Sequence, residues 1–254
     1  MLNLKNATIV TATFILAVFS RNLLFSFPWY AGFVKDLPKL MQWLEQPLRW
    51  FLICWLGLYI AHRTGFPKIF KELGLNKPLI KGLLFSFIAC LPMLIGSLFF
   101  GKLSKNISLI SLVFSAGVWP MAEEILYRGY VFRQFFRKSN MKFVWAALIS
   151  SLIFGVVHLG QASVKKLPLS GEIGTVLIIS LGGILFAWLF VQWQDNLWVP
   201  FGMHMFMNLW WTVFSISDSP LGGWGANLLR LLTVILSIVL TLFKNRIPFL
   251  NKSR

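Results

Sequence analysis

Residues 172–193 read EIGTVLIISLGGILFAWLFVQW, and the only charge in them is Glu172 at the edge. A bilayer crossing needs about 20 mostly apolar residues, and this stretch meets that length with no ionised side chain inside it. Seven more runs of the same character lie on either side, near 7–27, 47–61, 82–100, 107–132, 143–160, 197–216 and 224–243. The pattern predicts an all-α, polytopic membrane protein of about eight transmembrane helices in one bundle enclosing an intramembrane cavity. No internal repeat or low-complexity linker divides the chain, so residues 1–254 read as a single membrane domain.

Composition supports the same class. Hydrophobic residues make up 57% and charged residues 13% of the 254, against about 25% charged in ordinary globular domains; mean hydropathy is +0.73. That balance excludes a lone soluble domain, a disordered chain and a secreted disulfide scaffold. Cys54 and Cys90 sit in apolar runs without metal-site spacing and read as small buried hydrophobes. The stretch from Ile9 to Phe19 has the look of a signal-peptide core. Arg21 follows it with no small-residue cleavage site, which predicts an uncleaved span.

The formal net charge of +16 would suit nucleic acid in a soluble protein. In a membrane protein the expected cause is the excess of Lys and Arg in cytoplasmic loops, so no nucleic-acid partner is expected. Basic residues outnumber those of the opposite face about two to one when both termini are placed in the cytoplasm. Expected, therefore, is a multi-pass protein of the cell membrane with cytoplasmic termini. Trp29, Trp193, Trp198 and Trp224 lie near span ends, where indole rings anchor at the interface.

Ionised groups are costly in hydrocarbon, at least ~2.5–3.5 kcal/mol each on insertion scales, so the few inside spans carry information. Asp36, Glu45, Glu72, Asp195 and Asp218 are expected in loops. Only Glu123 and Glu124 lie within a span, and His158 and His204 lie in two others. Three pairs have the i,i+4 spacing that puts both members on one helical face: Glu124 with Arg128, Phe154 with His158, and His204 with Asn208. Glu124–Arg128 reads as a structural ion pair, Phe154 as packing that sets the His158 rotamer, and Asn208 taken alone as interhelical glue. Glu123 points about 100° from Glu124 and has no cation on its own helix, which makes it the more reactive carboxylate. At ~1.5 Å per residue, Glu123 and His158 reach similar depths, whereas His204 lies too near its end of the span unless that helix is tilted or starts deeper. Two carboxylates, two imidazoles and an amide on three spans are the ingredients of a hydrolytic site. They also fit a zinc protease, a transporter or proton relay, or a catalytically silent membrane scaffold.

At these residues the chain resembles the CPBP family of intramembrane proteases, which includes CAAX proteases and bacteriocin-processing enzymes. Its three motifs occur in order as Glu123-Glu124…Arg128, Phe154…His158 and His204…Asn208, confined to about residues 120–210; a Leu73-Gly74-Leu75 segment upstream is also common in the family. The resemblance implies a metal-independent glutamate endopeptidase with no cofactor and no metal ligands. It implies that Glu123 and His158 activate the attacking water, that His204 and Asn208 stabilise the oxyanion, and that Glu124 and Arg128 hold the motif helix. The partner it implies is a peptide or lipidated peptide at the bilayer: a prenylated C-terminus, a bacteriocin leader or a similar segment.

Overall fold

The computed structural model describes residues 2–246 apart from Asn106, Ala162, Ser163, Lys165, Asp218 and Pro220. The expected loop position Asp218 and the basic residues Lys252 and Arg254 lie outside the described residues. The described chain is helical and without strands. Eleven helices organise it: α1 Leu4–Phe25, α2 Pro28–Asp36, α3 Lys39–His62, α4 Ile69–Glu72, α5 Leu79–Ala89, α6 Leu91–Phe100, α7 Leu109–Lys138, α8 Phe143–Val157, α9 Leu169–Gln192, α10 Trp198–Val213 and α11 Trp224–Leu242.

Five helices (α1, α7, α8 with its last turn to Gly160, α9 and α11) are long and apolar enough to cross a membrane. The bent pair α5 and α6, broken by 41° at Cys90 with Pro92 beginning the second limb, makes a sixth if taken as one span. The two remaining expected spans, 47–61 and 197–216, fall on α3 and α10. The count of eight is therefore not reached by length and apolarity alone. Helix α3 is 24 residues long and begins at Lys39, so Glu45 is helical rather than in a loop, paired with Arg49 at 2.6 Å. That i,i+4 pair, with Arg49 also bonded to Ser20 of α1, lets two charges sit in a buried helix by neutralising each other. Helix α10 has only 16 residues, fewer than a full crossing needs.

Helix α7 runs 30 residues, six beyond its apolar stretch, because its basic end is matched by acids. Arg133 and Arg137 both bond Asp195, at 3.3 and 3.0 Å, and Lys138 lies 3.7 Å from Glu72. Within α7 the segments Val113–Val118, Ile125–Phe132 and Gln134–Lys138 are wound as wider i→i+5 π turns around a regular stretch at Trp119–Glu124. Such turns are rare and are frequently found at functional sites.

The helix ends fall on two faces. Asn3 and Asn6 at the start of α1 bond Ser139 past the end of α7, His62 at the end of α3 meets Gln134 at 2.8 Å, and Lys244 past α11 bonds the Gln192 carbonyl. This face carries both ends of the described chain and a basic rim that includes Arg63, Lys68, Lys71, Arg137, Lys138 and Lys244. The opposite face holds the end of α1, the start of α3 and the α6–α7 and α10–α11 connections, joined where Lys102 bonds the Phe214 carbonyl. Trp29 and Trp224 on that face are 69% and 84% exposed, as interfacial anchors are. Trp193 and Trp198 are not anchors of that kind: their indole N–H groups donate to Thr241 and to the Leu75 carbonyl, which makes them internal ties.

Two apolar clusters fill the bundle. One joins α1, α3, α7 and α8 through Phe14, Leu58, Leu126 and Phe154; the other joins α5, α9 and α10 through Phe85, Leu189 and Met203. Gly74 locks the α4–α5 loop to α10. It has φ +81°, a Cβ there would run into the Asp195 carbonyl, and its own carbonyl accepts from Leu197 at 3.2 Å. An alanine at a positive-φ site is strained as well as crowded. Gly74→Ala should lower the melting temperature in detergent by an amount equivalent to ~1–3 kcal/mol, read by thermal unfolding beside the parent.

Candidate functional site

The motif residues converge. Glu123 and Glu124 come from the regular stretch of α7, His158 from the end of α8, and His204 and Asn208 from successive turns of α10. His204 is the centre: its Nδ1 donates to Glu124 Oε1 at 2.9 Å, and its Nε2 lies 3.6 Å from Glu123 Oε2. The adjacent glutamates, rotated about 100° apart, thus address the two nitrogens of one ring.

This settles the depth question. Helix α10 is short and starts inside the protein, beneath the loop around Gly74 and Leu75 that bonds Leu197 and Trp198. Its second turn therefore lies level with the middle of α7. It also changes the expected part of Glu124. Glu124 does accept from Arg128, at 3.1 Å with both side chains fully buried, but it bridges Arg128 to His204 instead of serving the helix alone.

His158 is held from its own helix. Its Nδ1 lies 2.7 Å from the Phe154 carbonyl, and a carbonyl only accepts, so Nδ1 carries the proton and Nε2 is the basic nitrogen. Among the described residues no hydrogen bond joins Glu123 directly to His158; both line the same cavity. Asn208 donates to the Ser115 carbonyl of α7 at 3.2 Å, which leaves the second N–H of its amide for another acceptor.

Phe154 packs the site from below. Its ring stands edge-on to His158 at 4.7 Å and to His204 at 6.2 Å, and the Arg128 guanidinium lies over it at 4.5 Å. Arg128, fully buried, thus combines a carboxylate partner with cation–π contacts, which are strongest when desolvated. Tyr127, buried against Phe154 at 4.8 Å, was not singled out by the sequence reading. The i,i+4 step from Glu123 to Tyr127 is the signal that would have found it.

These side chains face a cavity of about 1380 Å³. Its walls come from the last turns of α1, α8 and α10 and the first halves of α3, α7 and α11, with α9 along one side. Apolar residues such as Ile178, Leu185 and Val234 alternate with a few polar groups, as in ligand sites generally. Among the described residues no three His, Cys, Asp or Glu side chains form a metal-ligating group.

Comparison with known proteins picks out the same part of the chain. Residues 105–210 match the family model described as type II CAAX prenyl endopeptidase Rce1-like. Over 99 residues the chain is 35% identical to the Bacillus subtilis (strain 168) protein named "Putative membrane peptidase YdiL", a match covering 39% of this chain and 34% of that protein. The chain thus aligns with about a third of the length of the curated relative it matches. No solved structure matches it significantly. The residues matched by the family model contain all three motifs and every side chain that meets around His204, and over that segment the chain is similar to the type II CAAX prenyl endopeptidase Rce1-like family.

Proposed function

We propose that the protein is an intramembrane endopeptidase that hydrolyses a peptide bond of a membrane-associated substrate without a metal. The observation that carries this reading is the convergence of Glu123, His158, His204 and Asn208 from three helices on one cavity. A water between Glu123 and His158 gives up a proton to this pair as its oxygen bonds the scissile carbonyl carbon. The charge that develops on the carbonyl oxygen is taken by the free N–H of Asn208 and by His204 in the form that carries a proton on Nε2 as well as on Nδ1; preorganised donors in a water-excluded site are worth far more than in water. Collapse breaks the C–N bond, and the held proton passes to the leaving amine, giving a carboxylic acid and an amine. Glu124, bonded to both Arg128 and His204, fixes the oxyanion-binding ring. The cytoplasmic placement of both termini is part of the same proposal and rests on the basic rim of their face.

The test is cleavage of a fluorogenic, lipid-anchored peptide by purified protein in detergent, with Glu123→Ala as the control. Cleavage at equal rate by both would refute the mechanism. Activity is expected to survive EDTA and phenanthroline, because Glu124 is already committed to Arg128 and His204. Loss under chelators, restored by zinc, would favour a zinc protease.

A further inference from the structure

The cavity is not open equally to both faces. Helices α1, α3, α8, α10 and α11 line it with the half that faces away from the chain termini, α9 lining one side with its middle: Arg21 and Asn22 lie near the end of α1, Gln46 in the first half of α3, and Asn227 near the start of α11. Asn22 and Arg21 are exposed, whereas on the terminal side of the site Glu124 and Arg128 are fully buried. The basic rim stands on that terminal side. Lys and Arg collect on cytoplasmic faces because they translocate poorly. The mouth therefore lies on the far side of the membrane from the cytoplasm.

The cavity wall is partly apolar. Leu181 of α9 and Leu231 of α11 line it and are 65% and 54% exposed, which matches an apolar anchor on the substrate.

Resting on the peptidase reading above, we infer that the substrate is a membrane-anchored peptide segment presented on the non-cytoplasmic face. This excludes a prenylated C-terminus, because that modification marks proteins anchored at the cytoplasmic leaflet.

Two measurements separate this inference from the peptidase reading. Cys54 and Cys90 are fully buried, so the parent protein gives little background with a membrane-impermeant maleimide. In intact cells Asn22→Cys at the mouth should label at least tenfold more than Lys68→Cys on the basic rim, and permeabilisation should bring the two to parity. The reverse pattern, or equal labelling before permeabilisation, overturns the inference whatever the protein's activity. In the second measurement an N-palmitoylated, internally quenched peptide is added to sealed right-side-out vesicles and to inverted ones. Cleavage by right-side-out vesicles, lost in Glu123→Gln, is expected. Glu123-dependent cleavage only by inverted vesicles overturns the substrate assignment and leaves the peptidase reading intact. No cleavage even in detergent overturns the peptidase reading, and the substrate with it, while the labelling still reports the side of the mouth.

Discussion

Glu123→Gln should leave the protein folded and reduce peptide cleavage by about 10²–10⁴-fold, the usual scale for losing a general base. The side chain is partly exposed to the cavity at 18%, and its contact is the 3.6 Å approach to His204 Nε2. An amide there keeps the volume and can still hydrogen-bond, so the melting temperature should hold within a few degrees. What is lost is a carboxylate able to take the water's proton. Melting temperature and cleavage measured on the same preparations decide the matter. A folded, fully active Glu123→Gln would refute the mechanism; an unfolded one would give this residue the structural part assigned to its neighbour.

Glu124→Gln should behave in the opposite way. Its carboxylate is fully buried and holds both the Arg128 guanidinium and the His204 ring. Removing one member of a buried pair strands the other, at a cost of about 3–5 kcal/mol. A large fall in melting temperature and expression is expected. Cleavage by the surviving folded fraction should also fall, because His204 Nδ1 loses its anionic partner. Arg128→Met tests the same contact from the other end: it removes the stranded charge, so combining it with Glu124→Gln should recover part of the stability lost by Glu124→Gln alone. Strict additivity of the two losses would mean that the pair is not coupled.

The helices were legible in the sequence because a bilayer imposes a long, unbroken apolar run on nearly every crossing, and six of the eight expected spans meet that criterion with the bent pair counted as one. The exceptions have visible causes. Helix α3 admits Glu45 and Arg49 by pairing them, and α10 is cut short because it begins under the Gly74 loop instead of at the membrane surface. The motif residues were legible through their charge in the wrong solvent and their i,i+4 spacing. Their partnerships were not. The contact from Glu124 to His204 joins residues 80 positions apart, and its existence depends on how far α10 is sunk into the bundle, a depth set by hydrogen bonds from residues 74–75. Spacing along one helix predicts the Glu124–Arg128 pair and carries no information about the third member. Nor does it mark the widened turns of α7, which have no residue type of their own.

Those widened turns make the length of α7 an angular setting. Each residue of a regular helix advances the side chains by about 100°, and a turn closed over five residues absorbs one residue more than a turn closed over four. Deleting Ala116 or Gly117 would let that turn rewind to the regular pitch with its apolar surface nearly unchanged. The helix would persist, but Ser115, whose carbonyl holds the Asn208 amide, would swing out of phase with Glu123 and Glu124. Chains that differ by a single residue in this segment are thus expected to share a fold, a hydropathy profile and all three motifs, and still to differ in whether the two halves of the site point at each other.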